Sequence, residues 1–462
     1  MIVFEVLMAV NGLIYLRGFY SIMIDEKPLW AARLYTSTKF SEKENPEKEI
    51  NTHFSNKERE VLHTLAELVA ELSNRPIENE KKELWYRHNA LDSVRPLILC
   101  DPENGWNEII TEDQMLCQNK LARHWEFWLR QLIFWGESMN DDRVIEPYFD
   151  IPYVFTESDW GMQEKKIGGE DGGSYCWIAP MNDYSLIKDL HFPQIQVDYE
   201  MTNRILSLAE DVIGKALKVR LKGMWWWSLG ISEIAVYLRG LEQMMYDMYD
   251  HPEELHHLMS FLHDGIMAKL DYLEKNNLLC LNNTGNYVGS GGMGYSKQLP
   301  QKDFDGFHVR PIDLWGFAES QPTVGVSPAL YEEFIFPYEK SILERFGLNC
   351  YGCCELINQR WEAVKKFPNL RRVSVSPWAD REDMSQKLEN RYIYSLKFNP
   401  AYLAVPNLDE KFIRQEIRRD LEIIKGCIVE IIMKDNNTIG NNPQNVIRWS
   451  EIVREEAENF YL

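Results

Sequence analysis

The chain has 462 residues, 45% of them hydrophobic, enough to bury a full core and to exclude a disordered chain. Its formal net charge of −21 excludes a surface built to neutralise phosphate, so small molecules and other proteins are the expected partners, with no nucleic acid and no membrane. The eight cysteines (100, 117, 176, 280, 350, 353, 354 and 427) have no evenly framed spacing and no secretion signal, which points to free thiols in a reducing, cytoplasmic compartment; only Cys350, Cys353 and Cys354 cluster.

Residues 1–23 are apolar, but Glu5 interrupts them, no basic residue precedes the run and no small-residue cleavage site follows. Arg17 leaves too short a run for a transmembrane helix, so a buried or interfacial segment, or a true start at Met23, is preferred to a membrane role. From 24 to 145 the pattern is helical. Ser55 and Glu58 have capping-box spacing; Val61, Leu62, Leu65, Leu68, Val69 and Leu72 recur at helical intervals, and Arg75-Pro76 stops the run. A second helix is predicted over 121–135, so 1–145 reads as a mainly helical N-terminal extension.

Beyond 145, short β-rich runs alternate with amphipathic helices, as in βα units. The predicted strands are 151–155, 216–224, 278–282, 314–318, 348–351, 372–376, 393–398 and 428–433. A helix is expected after each; the one over 327–346 starts Ser-Pro and ends at Gly347. Eight parallel strands close most economically into a (β/α)8 TIM barrel spanning 146–462. The alternative, a doubly wound open sheet, lacks a Gly-x-Gly-x-x-Gly fingerprint after its early strands. Gly289-Ser-Gly-Gly-Met-Gly is read as a flexible loop over the barrel mouth rather than as a phosphate cradle.

Catalytic groups of barrels sit at strand C-termini. Cys353 and Cys354 follow such an end; neighbours on an extended chain point to opposite sides, so one of them, Cys353, is expected to face the mouth, with simple packing as the other reading. Glu319 ends a strand and suits a metal ligand, a general base or a helix cap. Glu355 suits a ligand or an exposed first helical turn. Lys397 ends another strand and suits either a bound carboxylate or a structural ion pair with Glu319 or Asp435. Asp435, Asn436 and Asn437 end the last strand as site residues or as ordinary turn formers. Trp225, Trp226, Trp227, Tyr287, Trp315, Tyr351 and Trp378 lie near predicted strand ends, either as core anchors or as a wall for a flat or cationic substrate. His308 precedes the strand carrying Glu319 and is a proton donor or a satisfied structural histidine.

Four ordered segments carry a resemblance: 238–255 (LRGLEQMMYDMYDHPEEL), 319–328 (ESQPTVGVSP) with 331–338 (YEEFIFPY), 351–355 (YGCCE) and 442–446 (NPQNV). From about 190 onward the chain resembles the uroporphyrinogen decarboxylase-like superfamily, which includes corrinoid-linked methyltransferases. The decarboxylases carry an Arg-Gln-Ala-Gly-Arg-like loop for porphyrin carboxylates. The nearest counterpart here, Asp92-Ser-Val-Arg-Pro-Leu, supplies one arginine, so porphyrinogen decarboxylation is not expected. In the methyltransferases the resemblance implies zinc held by His-x-Cys and a later cysteine. Here those positions read Tyr351-Gly352-Cys353 and Asp435-Asn436-Asn437, retaining one ligand of three, which leaves either an altered set drawn from Cys353, Glu319, Glu355 and Asp435, or no metal at all.

The resulting expectation is a methyltransferase, the demethylating component that moves a methyl group from a small O-, N- or S-methyl substrate to a separate corrinoid protein. The chain has no Asp-x-His-x-x-Gly corrinoid motif of its own. Glu319, Cys353, Lys397 and Asp435 are the catalytic candidates. Substrate contacts fall to Trp225, Trp227, Tyr287, His308 and Trp315, and to Gln321, Tyr351, Trp378 and Asn437. Zinc is the candidate cofactor and a homodimer is left open. The rivals are a decarboxylase or lyase of a small acid, and a non-catalytic ligand-binding barrel.

Overall fold

Six short apolar runs form one parallel sheet in a computed structural model that describes residues 50–163, 165–168 and 175–461. The apolar stretch 1–23 lies outside them. The sheet strands are β1 (Leu97–Cys100), β8 (Trp315–Ala318), β9 (Leu348–Tyr351), β10 (Leu370–Val375), β11 (Ile393–Lys397) and β12 (Ile428–Met433), in the order β1-β12-β11-β10-β9-β8. Their registers place Leu97 beside Glu430, Ile393 beside Ile428, Arg372 beside Ile393 and Trp315 beside Leu348.

Side chains alternate across the sheet with the period of two that a pleated strand imposes. Ile98, Cys100, Val373, Val375, Tyr394, Leu396, Val429, Ile431 and Met433 enter the main core, packed with residues of the covering helices such as Leu421 and Trp449. The alternate positions face the other way. Leu97, Leu99 and Ile432 pack with Trp85, Met293 and Tyr295, and Trp315, Phe317, Leu348 and Cys350 pack with Val288 and Leu299. On that second, inner face the strands also carry Arg372, Ser395, Lys397 and Glu430, all buried.

Several elements differ from the sequence reading. The segment before 146 is mainly helical, with helices Asn56–Ser73, Pro76–Asn89 and Lys120–Glu137, and the Ser55–Glu58 capping box is present. It nevertheless contributes β1, an edge of the main sheet. The expected strand 151–155 splits into β2 (Tyr148–Ile151) and β3 (Phe155–Glu157) around Pro152, which has no N–H to donate to a ladder. β2 pairs in parallel with β7 (Lys218–Leu221), the centre of the expected 216–224 strand. Residues 278–282 form no strand: the Asn282 side chain takes over the backbone's role, donating to the Trp315 carbonyl at 3.0 Å and accepting from its N–H at 2.9 Å. The expected helix 327–346 breaks into Pro328–Phe334 and Phe336–Leu343 where Pro337 removes an N–H. β4 (Lys165–Gly168) and β5 (Tyr175–Ile178) form one further antiparallel pair, and β3 with β6 (Ile195–Val197) another. Strand pairing among the described residues therefore gives a six-stranded sheet and small satellites, not a continuous eight-stranded ring.

The glycine-rich loop is not a flexible cover over a mouth. Residues 288–296 are buried on the inner face of the sheet, closed by hydrogen bonds from Val288 N to Gly292 O at 3.0 Å and Gly294 N to Asn286 O at 2.8 Å. Gly291 and Gly292 have φ of +127° and +119°, and a Cβ on Gly292 would stand 2.8 Å from the Arg372 guanidinium. Only glycine lets the loop approach the sheet so closely.

Candidate active site

The C-terminal ends of β8, β9, β11 and β12 bring together the polar groups from which a site can be built. Gly352, at φ +90°, turns the chain after β9 so that Cys353 lies fully buried in the inner cluster. Its thiol accepts from the Ser290 hydroxyl at 3.2 Å and lies 3.7 Å from the Cys354 sulfur and 4.0 Å from Lys434 Nζ. Lys434 is 5% exposed and ion-paired with Asp435. The Cys354 sulfur lies 3.4 Å from the other Asp435 oxygen. Asp435 itself sits at φ +61°, a backbone conformation that lets its carboxylate turn back over Lys434.

These contacts divide the charge. The hydrogen bond from Cys354 and the Lys434 ammonium hold the Cys353 thiol below its usual range despite its burial. Cys354 moves up, through its bond to Cys353 and through burial beside Asp435. Burial pulls the Lys434 ammonium down, but Asp435, Cys353 and Glu103 outweigh it and keep the lysine charged. Cys353 is thereby the more acidic of the two thiols in a cluster that also holds Lys434 and Asp435. On its flank, burial and then the charge of Glu355 push the Glu319 carboxyl well above its usual range. One Glu319 oxygen accepts from Gln321 N at 2.7 Å.

Deeper on the same face lies a second network. Glu430 takes Arg372 Nε at 2.9 Å, the Ser395 hydroxyl at 2.6 Å and His88 Nε2 at 3.3 Å. Burial works against its charge, but Arg372 and His88 hold it ionised, with a pKa of about 2. Lys397 Nζ donates to Ser395 Oγ at 2.8 Å, and burial lowers its pKa to about 8.

Of the expected catalytic residues, Glu319, Cys353, Lys397 and Asp435 all lie at the strand ends. Lys397 pairs with neither Glu319 nor Asp435 among the described residues. The Tyr287 hydroxyl and Gln321 Oε1 are buried and find no partner there. Trp227 packs edge-on against Phe317 at 5.2 Å, on the inner face. Trp378 is 64% exposed beyond β10, and Asn437 is exposed beyond β12.

Four expected contacts belong elsewhere. Trp225 is a core anchor, its Nε1 donating to the Leu278 carbonyl at 2.8 Å. Trp315 begins β8, at the opposite end of the strand from Glu319, and bonds the Gly294 carbonyl at 2.9 Å. Tyr351 faces the helices because its odd place in β9 puts it opposite Cys350; it donates to Glu339 at 2.9 Å. His308 lies in the turn that enters β8, its N–H held by Asp305 at 2.8 Å.

The set Cys353, Glu319 and Glu355 does not fit zinc. Both Glu355 oxygens are occupied by backbone N–H groups, Ser320 at 3.0 Å and Cys353 at 2.7 Å, and the cation beside the Cys353 sulfur is Lys434. Among the described residues no three His, Cys, Asp or Glu side chains converge as metal ligands.

Sequence reasoning missed Ser290 and Lys434. Lys434 stands at even spacing from Glu430 and Ile432, so strict alternation extended one step past β12 points to it. Ser290 lay in a loop whose course no local pattern reveals. Glu103 was missed as well: its Oε2 is buried without a partner, and burial beside Asp435 raises its carboxyl despite Lys434.

No family model matches the chain, and no curated protein matches it in sequence. Among solved structures it is similar to a methyltransferase from Methanosarcina mazei, with 10% identity and a TM-score of 0.34 over 58% of this chain and 73% of that one.

Proposed function

We propose that the chain is a methyltransferase that takes a methyl group from a small O-, N- or S-methyl substrate and passes it to a corrinoid carried by a separate protein. The observation that carries this reading is the buried Cys353–Lys434–Asp435 cluster, with the buried Glu319, at the C-terminal ends of parallel strands. The four sequence segments that resemble the uroporphyrinogen decarboxylase-like superfamily, which includes corrinoid-linked methyltransferases, support it.

The fold reading that accompanies it is a (β/α)8 barrel, with β2 and β7 bringing the six strands of the sheet to eight. Asp142 N bonds the Ile98 carbonyl of β1 at 2.8 Å, and Leu229 N bonds Phe317 O of β8 at 2.9 Å, so both free edges of the sheet are met by the chain that leads to or from this group.

In the reaction, Glu319 holds a proton for the heteroatom that loses its methyl group. A positioned general acid of this kind is worth roughly 10²–10⁴ in rate. Cys353, Lys434 and Asp435 present a polar wall that orients the donor, and the buried glycine loop excludes water from it. The corrinoid supplies a nucleophilic cobalt that accepts the methyl group. The exposed rim with Trp378 and Asn437 leaves the strand ends open to such a partner.

The test is transfer to cob(I)alamin, followed by its absorbance change, from a panel of methyl ethers, methylamines and methyl thioethers. Glu319→Gln and Lys434→Met are expected to lower kcat by on the order of a hundredfold or more. A folded protein that transfers no methyl group from any of the three classes, yet releases CO2 from a small acid, overturns the proposal in favour of a decarboxylase.

A further inference from the structure

The inner face carries a buried cation with no carboxylate in direct contact among the described residues. Lys397 is 3% exposed, and Ser395 Oγ, at 2.8 Å, is its hydrogen-bond acceptor. Among the described residues no carboxylate lies within ion-pair distance of it. The neighbouring charges are already committed: Glu430 to Arg372 at 2.9 Å and to His88 at 3.3 Å, and Lys434 to Asp435. A buried ammonium without a counter-charge destabilises a fold by several kcal/mol, so its presence calls for a compensating partner.

A second group points the same way. The Tyr287 hydroxyl is buried and has no hydrogen-bond partner among the described residues. Both groups meet at the bare face of Gly291, where a Cβ would stand 3.1 Å from Lys397 Nζ and 3.1 Å from the Tyr287 hydroxyl. An ammonium with donors to spare and an unsatisfied phenol therefore converge beside Gly291, with the Ile432 side chain, 2.6 Å from the same Cβ position, closing the other side. One positive charge and one neutral donor match a monoanion.

We infer that Lys397 and Tyr287 form a carboxylate-binding subsite, and that the methyl donor is a small methylated carboxylic acid. This rests on the methyltransferase reading for the word donor, but the subsite stands on its own geometry. The carboxylate accepts from Lys397 and from the Tyr287 O–H while its methylated end lies toward Cys353 and Glu319.

The test is calorimetric binding to the full chain of methoxyacetate and 4-methoxybenzoate, compared with the uncharged 2-methoxyethanol and anisole. At least one acid is expected to bind more tightly than its neutral counterpart. Lys397→Met and Tyr287→Phe are each expected to weaken the acid on the order of tenfold and to leave the neutral compound unchanged. Gly291→Ala, which crowds both groups, serves as a third variant. Equal affinity for acids and neutral compounds, or an acid preference that survives Lys397→Met in a folded variant, overturns the subsite. If the acid preference depends on Lys397 but no methyl group reaches cob(I)alamin, the subsite stands and the methyltransferase reading falls. If neutral donors are demethylated and Lys397→Met leaves KM unaltered, the reverse holds.

Discussion

Burying two opposite kinds of charge on one sheet face has measurable consequences residue by residue. Glu430 is held near pKa 2 in the fold against an ordinary value of 4.5, with Arg372 and His88 overcoming its burial. Between those values the unfolded chain binds the extra proton, so its contribution of about 3 kcal/mol is complete above pH 4.5 and lost as pH falls through 2. Glu430→Gln leaves Arg372 buried without its counter-charge, and urea unfolding is expected to show a loss of about 3–5 kcal/mol near neutral pH. Lys397 behaves in the opposite sense. Its folded pKa of about 8 lies below the usual 10.5, so the fold bears the full penalty of a buried ammonium below pH 8, and stability rises between 8 and 10.5 as the native state releases its proton first. Lys397→Met is therefore expected to gain roughly 2 kcal/mol at pH 7, a gain that shrinks to nothing above pH 10.5, while losing acid binding. A flat difference across that pH range contradicts the assignment. Cys353, Glu319, Lys397 and Asp435 were legible in the sequence because each ends an apolar run. Lys434 was hidden beside a more familiar turn, Asp-Asn-Asn, and Tyr351 was misplaced because proximity to a strand end says nothing about the face unless alternation is counted from a fixed neighbour such as Cys350.

Whole elements were legible where periodicity is long and capped. The helix Asn56–Ser73 follows its capping box and its apolar spacing, and β9, β11 and β12 follow short β-rich runs. The 278–282 segment has the same texture, but the Asn282 amide meets Trp315 in place of a strand ladder, a tertiary choice that composition does not encode. The glycine-rich loop misled for a related reason: glycines suit a mobile cover and a tightly inserted loop equally well, and only the partner surface distinguishes them. Here that surface is Arg372 and Glu430. Gly292→Ala places a methyl group 2.8 Å from the Arg372 guanidinium and 2.8 Å from Glu430 Oε1, at φ +119°. Thermal unfolding is expected to register a loss on the order of 3 kcal/mol. Gly325→Ala, where a Cβ meets nothing within 4 Å, is the control and is expected to change stability by less than about 0.5 kcal/mol. Similar effects at the two positions contradict the inserted-loop geometry.

At the scale of the whole molecule, the sequence suggests an extension followed by a catalytic unit, whereas the structure ties the two together along an edge. β1 supplies one end of the sheet, with Leu97, Ile98, Leu99 and Cys100 opposite Glu430, Ile431, Ile432 and Met433. It escaped the sequence reading because four apolar residues between helices resemble a helix end as much as a strand. The helix Pro76–Asn89 then closes the inner face: Trp85 Nε1 bonds the Asp142 carbonyl at 2.7 Å, His88 reaches Glu430, and Asn89 donates to the carbonyls of Met293 and Tyr295, both at 2.8 Å. Asn89 also accepts from Arg372 at 2.8 Å, which satisfies a guanidinium that Glu430 alone does not. Removing residues 1–145 would strip these partners away together and expose β12 as an unpaired apolar edge, a ready template for aggregation. The fragment 146–462 is accordingly expected to be insoluble or to unfold without a cooperative transition. The full chain is expected to unfold with coincident loss of helical circular dichroism and tryptophan fluorescence, as one unit. A soluble, cooperatively folding 146–462 fragment would show instead that β12 tolerates a free edge, and that the polar network on the inner face closes without His88 and Asn89.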